Sequence, residues 1–102
     1  MECQHRRMAE RKLRAILAAE QAYRHVEGAF TPNLSDLPLG DVQARTADDP
    51  VITYDLSRTT GNDFNGLARY ARASGEVSVQ LIHDADGLTE PREILLNNGW
   101  CP

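Results

Sequence analysis

Hydrophobic positions change their period once along this chain. From Met8 to Val26 no Gly or Pro interrupts a run dominated by Ala, Leu, Arg, Glu and Lys, all strong helix formers. Within it Ala9, Leu13, Ile16, Leu17, Ala19, Tyr23 and Val26 recur mainly at spacings of three and four, the apolar stripe of an amphipathic helix. Gly28 then supplies a stop, because glycine takes the left-handed conformation just past a helix end. A helix is therefore predicted over residues 1–28. Residues 29–50 are punctuated by Pro32, Asn33, Pro38, Gly40 and Pro50 around one apolar knot at Leu34, Leu37 and Leu39. They read as a loop with a single helical turn at Ser35–Leu37.

After residue 50 the period falls to two. Ile52 and Tyr54 oppose Val51 and Thr53. Phe64, Gly66, Ala68 and Tyr70 share one side of the next segment, and Val77, Val79 and Leu81 alternate with Ser78, Gln80 and Ile82. Three strands are expected, separated by the turn-like Thr60-Gly61-Asn62-Asp63 and Ala73-Ser74-Gly75, with a weaker fourth at Glu93–Leu96. Gaps this short favour antiparallel hairpins. The chain thus reads as one α+β domain over 1–102: a long helix, a loop, then an antiparallel sheet of three to four strands and a C-terminal segment over 51–102.

Composition narrows the class without naming a function. At 102 residues with 41% hydrophobic side chains, the chain can bury one modest core and is too apolar for a disordered segment. Its net charge of −4 is unevenly divided: residues 1–30 carry six basic and four acidic side chains, and the remainder five basic and eleven acidic. Arg7, Arg11, Lys12 and Arg14 fall largely off the apolar stripe, where they form a solvated face and a candidate interface. No aromatic side chain interleaves with them, so nucleic acid is not expected as a dedicated partner. The longest apolar run, Ala15–Ala19, is far short of the roughly 20 residues that a membrane-spanning helix needs. The opening residues do not form a secretory signal pattern.

Candidate chemistry is sparse. Cys3 and Cys101 are either a bridge closing nearly the whole chain, worth up to about 4–5 kcal/mol by loop entropy, or two free thiols at the ends. A bridge would imply an oxidising compartment. Cys3-x-His5 has metal-ligand character but lacks a third and fourth ligand at regular spacing, with His25 and His83 scattered elsewhere. Asp84-Ala85-Asp86-Gly87 resembles the opening of a calcium loop, although Leu95 occupies the twelfth position, where a bidentate Glu is required. The expectation is a tight turn and no metal. Were calcium to bind, Asp84 and Asp86 are the ligands, with Glu90 a third. There is no nucleophile elbow, P-loop or HExxH. Asp48-Asp49 falls in a loop, and a Cys–His pair made from Cys101 and His83 would be hard to preorganise on a penultimate residue. No enzymatic activity is expected.

The segment Leu13 to Leu37 resembles the helix-end and loop signature of type IV pilins, AxxAYxxxxGxFxxxLxxL. It is carried here by Ala19, Ala22-Tyr23, Gly28, Phe30, Leu34 and Leu37. The later stretch Asp63 to Gly87 is similar to the sheet region of that family, a strand pair ending in an Asp-Gly turn, so the resemblance spans roughly Ala9 to Thr89. It implies that Tyr23, Gly28, Phe30, Leu34 and Leu37 define the fold and catalyse nothing: Gly28 folds Phe30 back onto the last helical turns, and the two leucines cover the join between helix and sheet. It also implies a hydrophobic half-helix that this chain lacks, either removed from it or encoded separately.

The family role is that of a structural subunit, a pilin or minor pilin. It is anchored in the inner membrane through the apolar helix before assembly and is then part of an extracellular filament serving adhesion, motility, DNA uptake or secretion. Its partners would be other pilin subunits, with Arg7, Arg11 and Arg14 facing a neighbour's acidic residues between Asp84 and Glu93. Two other roles fit the sequence: a pseudopilin of a type II secretion system with a calcium-supported fold, and a soluble binding module using its basic N-terminal helix.

Overall fold

The apolar stripe and the absence of helix breakers produce α1, Glu2–Glu27, and the period-two segments produce β1 Ile52–Asp55, β2 Asp63–Arg72, β3 Gly75–Asp84 and β4 Arg92–Asn98. The structure is a computed structural model, described over residues 2–37, 51–84 and 92–101. The four strands form one antiparallel meander in the order β1-β2-β3-β4, with α1 lying against β2 and β3. One long N-terminal helix on a four-stranded antiparallel sheet is the α+β architecture that the two periods predict. The fourth strand is full-length, and the short helical turn spans Leu34–Asp36, one residue ahead of its expected place.

Register explains the core. Ile52 pairs with Tyr70, Tyr54 with Ala68, Phe64 with His83, Ala68 with Val79 and Tyr70 with Val77, so these residues share the face turned to the helix. Ala9, Leu13, Ile16 and Leu17 close on that face against Phe64, Ala68, Val79 and Leu81, all at most 5% exposed. Each large side chain contributes roughly 1.5–3 kcal/mol by leaving water. Gly66 leaves space that its neighbours fill: an added Cβ would stand 2.8 Å from Phe64 Cζ and 3.0 Å from Leu13 Cδ2. A side chain there would force the buried Phe64 ring or Leu13 to shift, and the constraint is one of space and not of backbone conformation.

Two expectations about the helix need correction. Val26, placed on the apolar stripe, is 78% exposed: thirteen residues after Leu13, it lies about 140° around the helix from it at 100° per residue. Lys12, placed on the solvated face, is half-buried with its Nζ 5.9 Å from the centre of the Tyr54 ring, a distance at which the ring face attracts the cation.

The C-terminal segment is folded back under the sheet. Gly99 turns the chain with φ +76°, and the Asn97 side chain braces the turn, accepting from Trp100 N–H at 3.0 Å and donating to its carbonyl at 2.8 Å. Trp100, fully buried, stacks on Tyr70 with ring centres 5.4 Å apart, and Tyr70 stacks in turn on His5 at 5.2 Å. Arg6 donates to the carbonyls of Trp100 and Cys101. Cys101 is joined to Cys3 by a disulfide with the Cα atoms 5.2 Å apart, so the start of α1 and the end of the sheet are one covalent unit.

That bridge closes a loop spanning 98 positions, which places its contribution in the range of about 2–5 kcal/mol. Replacing both cysteines by serine should lower the urea midpoint correspondingly under oxidising conditions, and the difference from the parent should vanish once both are in reductant. An unchanged midpoint would show that the bridge does not constrain the chain.

Candidate functional site

The face of α1 turned away from the sheet follows from the face turned toward it. With Ala9, Leu13, Ile16 and Leu17 buried, the opposite stripe consists of Gln4, Arg7, Arg11, Arg14, Ala18, Gln21 and His25, all exposed. Their alternating steps of three and four residues keep them on one side of the helix. None is acidic. The three arginines that the sequence singles out as interface candidates therefore stand together at the N-terminal end of one continuous solvent-facing strip. Nearby, the Glu10 carboxylate accepts from Arg6 Nε at 3.0 Å.

At the other end of α1 the family pattern assembles a junction. Gly28 has φ +86° and donates its N–H to the carbonyl of Arg24 at 2.7 Å, which terminates the helix with a single backbone bond three residues inside its last turn. The reversal directs Phe30 into the core, 5% exposed, with its N–H on the Gly61 carbonyl at 2.9 Å. Its ring meets Phe64 and His83 edge-on and carries the Arg24 guanidinium over one face, 5.4 Å from the centre. Leu37 is buried, and Tyr23 and Leu34 pack partly buried against the same cluster.

Beneath this junction lies a group that the sequence reading counted only as charge. Glu20 falls on the buried stripe, four residues after Ile16 and three after Leu17, and its exposure is 0%. Its Oε1 accepts from Thr31 N–H at 2.9 Å, while Oε2 has no hydrogen-bond partner among the described residues. The Thr31 hydroxyl donates to Asp36 Oδ2 at 2.7 Å, so helix, junction and short turn are stitched through one acid pair. Burial, opposed by the Thr31 bond and reinforced by Asp36, pushes the Glu20 pKa up to about 7 from an ordinary 4.5. Burial, with Asp36, Glu27 and Glu20 acting in the same direction, raises the Tyr23 hydroxyl too.

On the outer face of the sheet a shallow groove of about 410 Å³ is lined by Arg58, Thr60, Asp63, Phe64, Asn65, Ile82 and Ile94. Asp84 ends β3 in register with Asp63 and Arg92, while Asp86 and Glu90 lie outside the described residues. Among the described residues no three His, Cys, Asp or Glu side chains are grouped to hold a metal, and Cys3, one half of the Cys3-x-His5 pair, is committed to the disulfide. No described helix is long and apolar enough to cross a membrane. Comparison with models of protein families, with characterised proteins and with solved structures returns no match.

Glu20 makes stability depend on pH with a definite sign. The folded state holds its proton more tightly than the unfolded chain, so the contribution is complete below about pH 4.5, is lost as pH rises through about 7, and then levels off. Glu20→Gln keeps an acceptor for Thr31 N–H but cannot ionise. It should flatten the stability profile between those limits and raise stability at pH 8 by about 1–3 kcal/mol, measured by urea unfolding across pH. A profile unchanged by the substitution would assign the pH dependence to another group.

Proposed function

We propose that this chain is the globular domain of a type IV pilin-like filament subunit, acting by contact with neighbouring subunits rather than by catalysis. The observation that carries the reading is the junction at the end of α1. Of the residues of the pilin-like pattern, Tyr23, Phe30, Leu34 and Leu37 join the core cluster between a long N-terminal helix and an antiparallel sheet, and the exposed Gly28 makes the left-handed reversal that brings Phe30 there. The acid-free strip of Arg7, Arg11 and Arg14 supports a role in packing, because a basic stripe on a protein of net charge −4 meets an acidic surface of another copy favourably. Such complementarity sets orientation more than affinity. Head-to-tail contacts between unlike patches generate open helical polymers, the geometry a filament needs. In this reading the domain is held at the cell surface by an apolar helix preceding α1.

Antibody raised against the domain should decorate filaments at the cell surface by electron microscopy. Staining confined to the cell interior would refute the reading. In cells, Arg7→Glu with Arg11→Glu should reduce filament number at least several-fold while the isolated domain melts within a few degrees of the parent. Normal assembly by that variant would remove the basic strip from the interface.

A further inference from the structure

We infer that the outer edge of β4, which pairs with no other strand among the described residues, pairs with β4 of a second copy of this chain about a two-fold axis at Leu95, joining two four-stranded sheets into one. This surface is separate from the basic strip on α1 and does not rest on the filament reading.

The two edges of the sheet are built differently. β1 is four residues long and ends at Asp55, whose carboxylate accepts from Ser57 N–H at 2.8 Å and turns the chain away. Short strands, charges and local turns are how proteins keep an edge from pairing with another chain. β4 is seven residues long, and its run Ile94-Leu95-Leu96-Asn97-Asn98 contains no charge, proline or glycine. Ile94 and Leu96 are 44% and 49% exposed on its outer face. Register places Ile94 beside Ile82, and Leu96 beside Gln80, whose other neighbour is Leu67, so an apolar patch runs up to the edge and stops there. Among the described residues the chain after β4 runs away from that edge. It turns inward at Gly99, and Trp100 reaches back to Tyr70 on β2.

The occupant follows from the register of the strand with itself. An axis at Leu95 sets Ile94 opposite Leu96 twice, Arg92 opposite Asn98 and Glu93 opposite Asn97, with no like charges facing. The two Arg92 positions are then six residues apart along the pair, about 20 Å. Sliding by two residues one way brings Leu96 against Arg92, and the other way brings Ile94 against Asn98. Sliding by one sets outer-face residues against inner-face ones and breaks the alternation of the sheet. Only the axis at Leu95 matches apolar to apolar along the strand while keeping the charges apart. A pairing of one strand with itself is isologous and closes as a dimer. Its small area makes it a concentration-dependent association.

Sedimentation velocity from about 1 µM to about 1 mM, a range bracketing weak association, should show a monomer–dimer equilibrium. Leu96→Lys, on the outer face and half-exposed, should raise the dissociation constant at least about tenfold without moving the circular-dichroism spectrum. Amide hydrogen exchange on the unaltered protein provides a second measurement that needs no folded variant: β4 amides should gain protection as concentration rises, and β1 amides should not. A protein that stays monomeric throughout, or a dimer whose formation leaves β4 exchange unchanged, overturns the inference.

Discussion

The approach of α1 to β2 over Gly66 sets the geometry of this domain. Leu13 Cδ2 would lie only 3.0 Å from a Cβ at that position and Phe64 Cζ closer still, so a side chain there would have to displace the helix's Leu13 and the ring of its own strand's Phe64. Once Ala9, Leu13, Ile16 and Leu17 are committed to that contact, the helical period leaves no freedom elsewhere. Arg7, Arg11 and Arg14 must face outward. Cys3 lies at the end of the helix that the chain beyond β4 can reach, and Glu20, further along the committed stripe, is buried with Leu17. The basic strip, the disulfide and the buried acid are three consequences of one packing decision.

Of these, the buried acid is the one that costs stability. A buried carboxyl with one hydrogen bond among the described residues is disfavoured in its ionised form, and Asp36 adds repulsion. The return is local order: the Thr31 N–H on Glu20 and the Thr31 hydroxyl on Asp36 hold the short turn at Leu34–Asp36 against the end of the helix. That turn positions Leu34 and Leu37 over the core. An apolar residue at position 20 would bury well but would leave the Thr31 N–H without its acceptor, a loss comparable in size to the gain.

How much of this was legible in the sequence can be judged residue by residue. The change of period from helical to alternating predicts the long helix, the four strands and the inward faces of β1, β2 and β3, because burial on one side is what periodicity records. The exposure of Arg7, Arg11 and Arg14 was legible for the same reason. Val26 was misplaced because spacing from its neighbour Tyr23 hides the angular drift accumulated since Leu13. Glu20 was missed although it sits on the stripe, since a charged residue there is ordinarily read as solvated. Trp100 went unremarked. Its only sequence signal is a large apolar side chain beside Cys101, and the Tyr70 ring that it stacks on and the Arg6 that reaches its carbonyl are remote in the chain. Whether Cys3 and Cys101 pair depends on a Cα separation that no sequence states.

The two outward-facing surfaces have a geometric relation that bears on function. The dyad of an antiparallel strand pair at Leu95 is perpendicular to the sheet, so both copies of α1 fall on the same side of the joined sheet. Because α1 lies over β2 and β3, each helix is about two strand spacings from the axis, and the two helices run antiparallel about 19 Å apart. Two arginine strips then point in one direction. An acidic surface large enough to span them would gain from the second strip by effective concentration alone, with no new contact within either domain. The edge strand would in this way set the strength of an interaction made entirely by the helix, so that binding through the basic face would rise with the protein's own concentration.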